Sequence, residues 1–384
     1  MRAGTNGRLG LVWRLGAATT LIVMSFSMVA PVLAVLLQRA GHGPTLIGAF
    51  SMLPFLCIGL LIPVVPRVIA RHGVVRTYRA GALLALLGMA GYSLGDQLAL
   101  WSASSLLAGV GSALLWNATE TLLTQEAPPE MRGRVMGLYQ TALGAALALG
   151  PFLPALLQLQ AQEALWLAAA MVAACLVLAA RARARHAGVR LHGHAGTWQA
   201  LRAVPWLAAL AFAGGVFEAG LSAITAAHAS ATGMELRAAA SVAGAIGVGS
   251  FLFQYPAGWA ADHFDLRRVC SGAAVLLAIA SVGIAFAGQL PWLLWLCGLV
   301  WGGVGGALYT LAIIQVAHAF DGRATAGGAA AMITGYTWGG TLGPVGSGAV
   351  LEGSGLPGMA ALLLLLALGT LIAARRLESA PAPA

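Results

Sequence analysis

Two acids, Glu120 and Glu218, stand inside long apolar stretches of this 384-residue chain, which holds only twelve acids in all. An ionisable group in such surroundings is costly and needs a reason to be there. Glu218 lies near the middle of its stretch, in Gly214-Gly215-Val216-Phe217-Glu218-Ala219-Gly220. A carboxyl group kept from water there favours its protonated form, which suits it to bind and release a proton as its surroundings alternate. It is read as a proton-coupling or substrate-cation site, with a structural carboxyl bonded to a neighbouring helix as the other reading. Glu120 lies toward one end of its stretch, within reach of Arg76, Arg132 or Arg134. An ion pair there would either break during a conformational change or act as a fixed anchor.

The elements that must position these acids are about twelve apolar segments, near 15–37, 45–66, 78–95, 99–123, 135–158, 164–181, 204–228, 236–259, 269–287, 292–317, 326–351 and 357–374. A bilayer core about 30 Å thick takes roughly 20 apolar residues of helix, so each is expected to span a membrane. The fold class expected is therefore all-α, with twelve transmembrane helices. Lysine is absent, and of the 21 arginines all but Arg39 and Arg237 fall on alternate connections. By the positive-inside rule this places both termini in the cytoplasm, in a multi-pass protein of a bacterial-type inner membrane. The net charge of +9 is accounted for by basic loops beside an anionic leaflet, so no nucleic-acid partner is required. Arg2, Arg8 and Arg14 precede an apolar run ending Ala30-Pro31-Val32-Leu33-Ala34. That run is too long for a cleaved leader and further spans follow it.

Cys57, Cys175, Cys270 and Cys297 fall in apolar segments without paired spacing and read as packing residues rather than a metal or redox site. His186, His192 and His194 sit in the one long polar interruption and read as a solvated loop. That interruption divides the chain into a six-helix bundle over 1–181, a cytoplasmic linker over 182–203 and a second six-helix bundle over 204–384. The halves carry traces of duplication, as expected of transporter folds. Gly48, Phe55, Pro66 and Arg71 match Gly244, Phe251, Asp262 and Arg267 at a constant offset, and Leu149-Gly150-Pro151 matches Leu342-Gly343-Pro344. Glycine clusters at 302–306 and 339–343 let helices approach closely and leave smooth surfaces over which they can rock.

At the end of the eighth segment stands Gly258-Trp259-Ala260-Ala261-Asp262-His263-Phe264-Asp265-Leu266-Arg267-Arg268. It resembles the Gly-x-x-x-Asp-Arg-x-Gly-Arg-Arg signature of the major facilitator superfamily, with His263 for the first Arg and Asp265 for the second Gly. The resemblance implies two pseudo-symmetric six-helix bundles that move a small solute by alternating access. By the same pseudo-symmetry Asp262 would latch onto the helix start around Arg132, Gly133 and Arg134, where unpaired N–H groups favour negative charge. Local pairing with Arg267 or Arg268 is the alternative. The first copy has Pro66 where the latch acid should be, followed by Arg67 and Arg71, so a symmetric pair of latches is doubtful. Asn117-Ala118-Thr119-Glu120, followed by Arg132-Gly133-Arg134-Val135-Met136-Gly137-Leu138-Tyr139, resembles the YcaD-like branch.

Trp116, Asn117, Tyr139, Gln140, Tyr309, Gln315, Tyr336 and Trp338 are candidates to line a central cavity and to stack on a ring-bearing organic solute. Pro151 and Pro344 are candidate helix kinks. No arginine lies mid-span, which disfavours phosphorylated or multiply anionic solutes. Without lysine there is no Walker-type phosphate loop, and the two acids lie too far apart in expected depth for a catalytic pair. The expectation is a monomeric, proton-coupled secondary transporter in the lipid bilayer, not an enzyme, with no cofactor and no metal. A membrane sensor with the same fold, or a uniporter or exchanger, is the alternative.

Overall fold

Backbone groups in lipid have to be hydrogen-bonded within their own segment, so apolar spans fold as helices. The computed structural model describes residues 2–126, 132–180, 197–319 and 323–377, and among them there is helix and turn but no strand. The side chains of some residues at helix ends, Arg132 and Arg134 among them, lie outside the described set. The helices are α1 (Arg2–Arg39), α2 (Pro44–Leu61), α3 (Val65–His72), α4 (Val74–Ser93), α5 (Leu98–Glu126), α6 (Arg132–Leu149), α7 (Leu153–Leu156) and α8 (Ala161–Ala180). They continue as α9 (Thr197–Ala203), α10 (Pro205–Gly214), α11 (Ser222–Ala231), α12 (Leu236–His263), α13 (Leu266–Gly283), α14 (Leu293–Ala319) and α15 (Arg323–Arg375). Large apolar side chains such as Ile279, Leu365 and Leu94 stand 62%, 67% and 71% exposed. That suits contact with lipid tails rather than water.

Several expected spans are redrawn. The second ends at Leu61 rather than near 66, and the chain restarts as the short α3, which buries Val65 and Ile69 and exposes Arg67 and Arg71. α3 stops at Gly73, whose φ of 85° is a conformation open to glycine at little cost, and α4 follows at once, taking in Arg76 and Arg79. The fifth span is interrupted: α6 ends at Leu149, Gly150–Phe152 form a 3₁₀ turn, and α7 completes it. Pro151 lacks the N–H needed to continue the α-helical ladder. The expected spans 326–351 and 357–374 appear as the single 53-residue α15, with non-helical backbone at Gly355 (φ 63°, ψ −163°). A straight helix of that length would measure about 80 Å, far beyond a bilayer core. α15 is therefore two limbs meeting at Gly355. The central linker is outside the described residues up to 196, together with His186, His192 and His194, and its last part is the helix α9.

The chain divides into two compact units: Met1–Val29 with Leu53–Leu191, and Ala30–Met52 with His192–Ala384. In the first, a buried hydroxyl cluster ties three helices, with Thr19 Oγ1 at 2.8 Å from Thr119 Oγ1 and 3.3 Å from Tyr78 Oη. Arg79 reaches from α4 to the end of α8, its Nε donating to Ala179 O at 3.0 Å and a terminal nitrogen to Ala180 O at 2.8 Å. A cation there satisfies carbonyls that have no partner within the helix. In the second unit, α12 lies along α14, while α10 and α13 pack on α15.

Candidate functional site

Glu218 is carried on a turn of π-helix, Gly215–Gly220, between α10 and α11. Such wide turns inside α-helices are rare and recur at functional sites. Here glycine makes room for one. A Cβ at Gly215 would stand 2.8 Å from the Tyr336 carbonyl carbon and 3.0 Å from Gly340 N, so the turn can lie against the first limb of α15 only with glycine at that position.

Around the half-buried carboxyl group, three elements converge. Ser250 Oγ, from α12, donates to Glu218 Oε1, and Tyr336 Oη, from α15, donates to Glu218 Oε2 at 3.0 Å. The Tyr336 ring leans on that of Tyr309 from α14, with centroids 4.8 Å apart and planes at 53°. One turn beyond Ser250, Gln254 Oε1 accepts from Thr310 Oγ1 at 2.6 Å. Gly306 closes the niche: a Cβ there would fall 3.0 Å from Gln254 Nε2 and Ser250 Oγ and 3.1 Å from Glu218 Oε1. Both carboxyl oxygens thus have a hydroxyl donor, and hydrogen bonds to a charged group are each worth about 1.5–3 kcal/mol. Hydroxyls also rotate and accept, so the same pair of partners can serve the carboxylate and the carboxylic acid. The arrangement can hold a proton and give it up without rebuilding the backbone.

Of the residues singled out from sequence, the structure brings Glu218, Tyr309 and Tyr336 together. In the first unit it brings Glu120 to Trp116, whose Nε1 donates to Oε1 at 2.8 Å. Trp116 packs against a buried cluster of Val23, Leu123, Val135, Tyr139, Leu143 and Ala146. Tyr139 is 4% exposed, and its hydroxyl has no partner among the described residues. Asn117 turns back on its own helix, donating to Ala113 O at 2.9 Å. Gln140 and Trp338 are exposed and Gln315 is half-buried. Pro151 sits in its 3₁₀ turn, whereas Pro344 leaves the helical backbone of α15 unbroken.

Asp262 is exposed in the last turn of α12, and Arg267 and Arg268 are exposed at the start of α13. The side chains of Arg132 and Arg134, the expected latch partners, lie outside the described residues. Asp265, which departs from the signature, serves its own helix. As N-cap of α13 it accepts from Arg267 N at 2.7 Å. Ser250, Gln254 and Thr310 are not singled out by the sequence, and Gly306 stands out there only as part of a packing cluster. The i, i+4 spacing of Ser250 and Gln254, a polar stripe on an apolar helix, is the signal that could find two of them. The four cysteines are buried and unpaired. No group of three or more metal-ligating side chains occurs among the described residues.

The Major Facilitator Superfamily profile matches residues 15–253 and 221–384. An uncharacterized MFS-type transporter of Bacillus subtilis (strain 168), YfkF, is 23% identical over 338 residues, 84% of each chain. The crystal structure of the nucleoside transporter NupG superposes with a TM-score of 0.77 at 12% identity, over 95% of this chain and 97% of that one. A D-xylose-proton symporter gives 0.69 at 14% identity over 94% and 97%. A bacterial homolog of the human lysosomal transporter Spinster gives 0.67 at 15% over 96% and 95%. With its helices, its signature and matches that cover nearly its whole length, this chain belongs to the Major Facilitator Superfamily and is a membrane transporter.

Proposed function

We infer that this transporter is a secondary active one, coupling a proton at Glu218 to the movement of a small organic solute by alternating access. One observation carries the reading: a carboxyl group on a π-turn in the middle of an apolar span, with a hydroxyl donor on each oxygen and two tyrosine rings beside it. Widened helical turns recur at functional sites, which supports a working rather than a purely structural acid. The neutral surroundings, in which Tyr309, Thr310, Gln254 and Tyr336 supply rings and hydrogen bonds, suit an uncharged solute. Nucleosides and D-xylose, named for two of the similar structures, are small organic molecules of that kind.

The same reading sets a monomer in the inner membrane with both termini in the cytoplasm, bundles over 1–181 and 204–384, and a linker over 182–203. On the Asn117–Glu120 and Arg132–Tyr139 stretches it belongs with the YcaD-like branch. Asp262 would be a cytoplasmic latch and Glu120 a gating acid.

Purified protein in proteoliposomes, screened against metabolites and drugs while interior pH is followed, tests the coupling. Solute-dependent proton flux that disappears in Glu218→Gln is the expected result. Coupled flux retained by that variant would refute the role of Glu218, and solute flux without proton movement would make the protein a uniporter or exchanger.

A further inference from the structure

The outer end of α1, the turn after it and the first turns of α2 group with the C-terminal half of the chain, as Ala30–Met52 with His192–Ala384. The junction is made by backbone and one acid. α2 starts at Pro44, and the N–H groups of its first turn have no acceptor within the helix. Glu352, on the first limb of α15, fills that need: Thr45 N donates to its Oε2 at 2.9 Å. Its carboxyl lies over Gly43, where a Cβ would stand 2.6 Å from Oε1 and 2.8 Å from Cδ, so any larger residue would push it away. A turn deeper, α2 and α15 cross backbone to backbone. A Cβ on Gly48 would fall 2.7 Å from the Pro344 carbonyl carbon, and one on Gly348 would fall 2.9 Å from that of Pro44.

Anions at a helix N-terminus are favoured. Here the anion comes from a different helix, so the attraction joins two elements rather than finishing one. α2 runs on from Leu53 into the other unit, and parting α2 from α15 must break the Glu352 bond. The 40–43 turn and the Gly355 bend lie on the face opposite the arginine-rich connections, which is extracytoplasmic in the orientation proposed above.

We propose that Glu352 is a gating residue of the transport cycle, holding the N-terminus of α2 against α15 so that this face stays closed, and releasing it when the face opens. The inference rests on the alternating-access part of the proposed function and is independent of the proton at Glu218.

The test reads the gate without needing the solute. Ile47, 1% exposed in the first turns of α2, is replaced by cysteine in the full chain, and a membrane-impermeant maleimide is added outside whole cells. The natural cysteines, all buried, serve as internal controls for loosening of the fold. Glu352→Gln removes the charge and should raise the labelling rate at position 47 roughly twofold to fivefold, the scale of one helix-dipole interaction. Glu352→Ala should raise it at least as much, with the natural cysteines still unlabelled. An unchanged rate in both variants overturns the proposal, as does an equal rise at the natural cysteines or a rise seen only from the cytoplasmic side. Proton-coupled flux retained by Glu218→Gln with the labelling response intact would leave the gate standing and refute only the proton site.

Discussion

Three glycines that look alike in sequence should respond differently to the same substitution. Gly258, Gly302 and Gly306 each become alanine. In a helix this substitution gains up to about 1 kcal/mol from propensity alone. At Gly258 the new methyl meets nothing within 4 Å, so the gain stands unopposed. At Gly302 it would come 2.8 Å from Ile246 Cα, and nearer still to that residue's carbonyl group. Carbon atoms are comfortable about 3.5–4.0 Å apart, and the obstacle is backbone, so α14 and α12 must separate by about 1 Å. Overpacking of that kind costs about 1–3 kcal/mol, and this is the expected stability gap between Gly302→Ala and Gly258→Ala. At Gly306 the neighbours are the ends of three side chains, at 3.0–3.1 Å, which can yield by a few tenths of an ångström. Gly306→Ala should therefore fold but disturb the Ser250–Glu218 bond. Losing about 1 kcal/mol there would change the balance of states roughly fivefold. The assays are thermal unfolding of purified protein and proton-coupled flux in vesicles. Gly302→Ala as stable as Gly258→Ala would show that α12 and α14 are packed differently. Wild-type flux from Gly306→Ala would show that the niche around Glu218 does not govern transport.

Two smaller contacts make separate predictions. Asp265→Ala should lower stability by about 1 kcal/mol, the usual worth of an N-cap, whereas Asp265→Ser should keep most of it because a hydroxyl can still accept from the Arg267 N–H; unfolding midpoints compare the two. Arg79→Gln should loosen the end of α8 and cost about 1 kcal/mol, and Arg79→Lys should recover only part, since an ammonium lacks the planar fork that reaches two carbonyls. Faster hydrogen exchange confined to the last turn of α8 would mark the effect, and unchanged exchange there would count against the contact.

The existence of the spans is legible in the sequence because lipid imposes a length and a composition on every helix that crosses it. Their ends are less so, since they depend on single residues with local geometry. Pro63 and Pro66 do not by themselves mark the break after Leu61, because Pro54 and Pro344 sit within unbroken helix. Yet Ile62, Pro63 and Val64 form turn instead of helix, and Arg67 and Arg71 end on a separate short helix. Gly355 shows the same limit from the other side. Polar residues in a short connection suggest two spans, and the two helical limbs meet at a single glycine whose positive φ absorbs the turn.

The site divides along a similar line. Glu218 announces itself because a carboxyl group in an apolar span is conspicuous in any sequence. Its partners are less legible: Tyr336 stands out only as an aromatic cavity candidate and Ser250 is unremarkable in a helix, and whether they meet the carboxyl group depends on how α12 and α15 are rotated about their axes. That rotation is set by where two backbones can touch, which is to say by glycine. The glycine clusters at 302–306 and 339–343 read as packing surfaces, and at Gly302 the contact is with the backbone of Ile246. Four residues on, at the same helical face, Gly306 borders polar side-chain atoms instead. The spacing that fixes the helix crossing therefore also fixes the room around the carboxyl group. A packing motif and a proton site can share one stripe of glycines, and that sharing makes the flux of Gly306→Ala more informative than its stability.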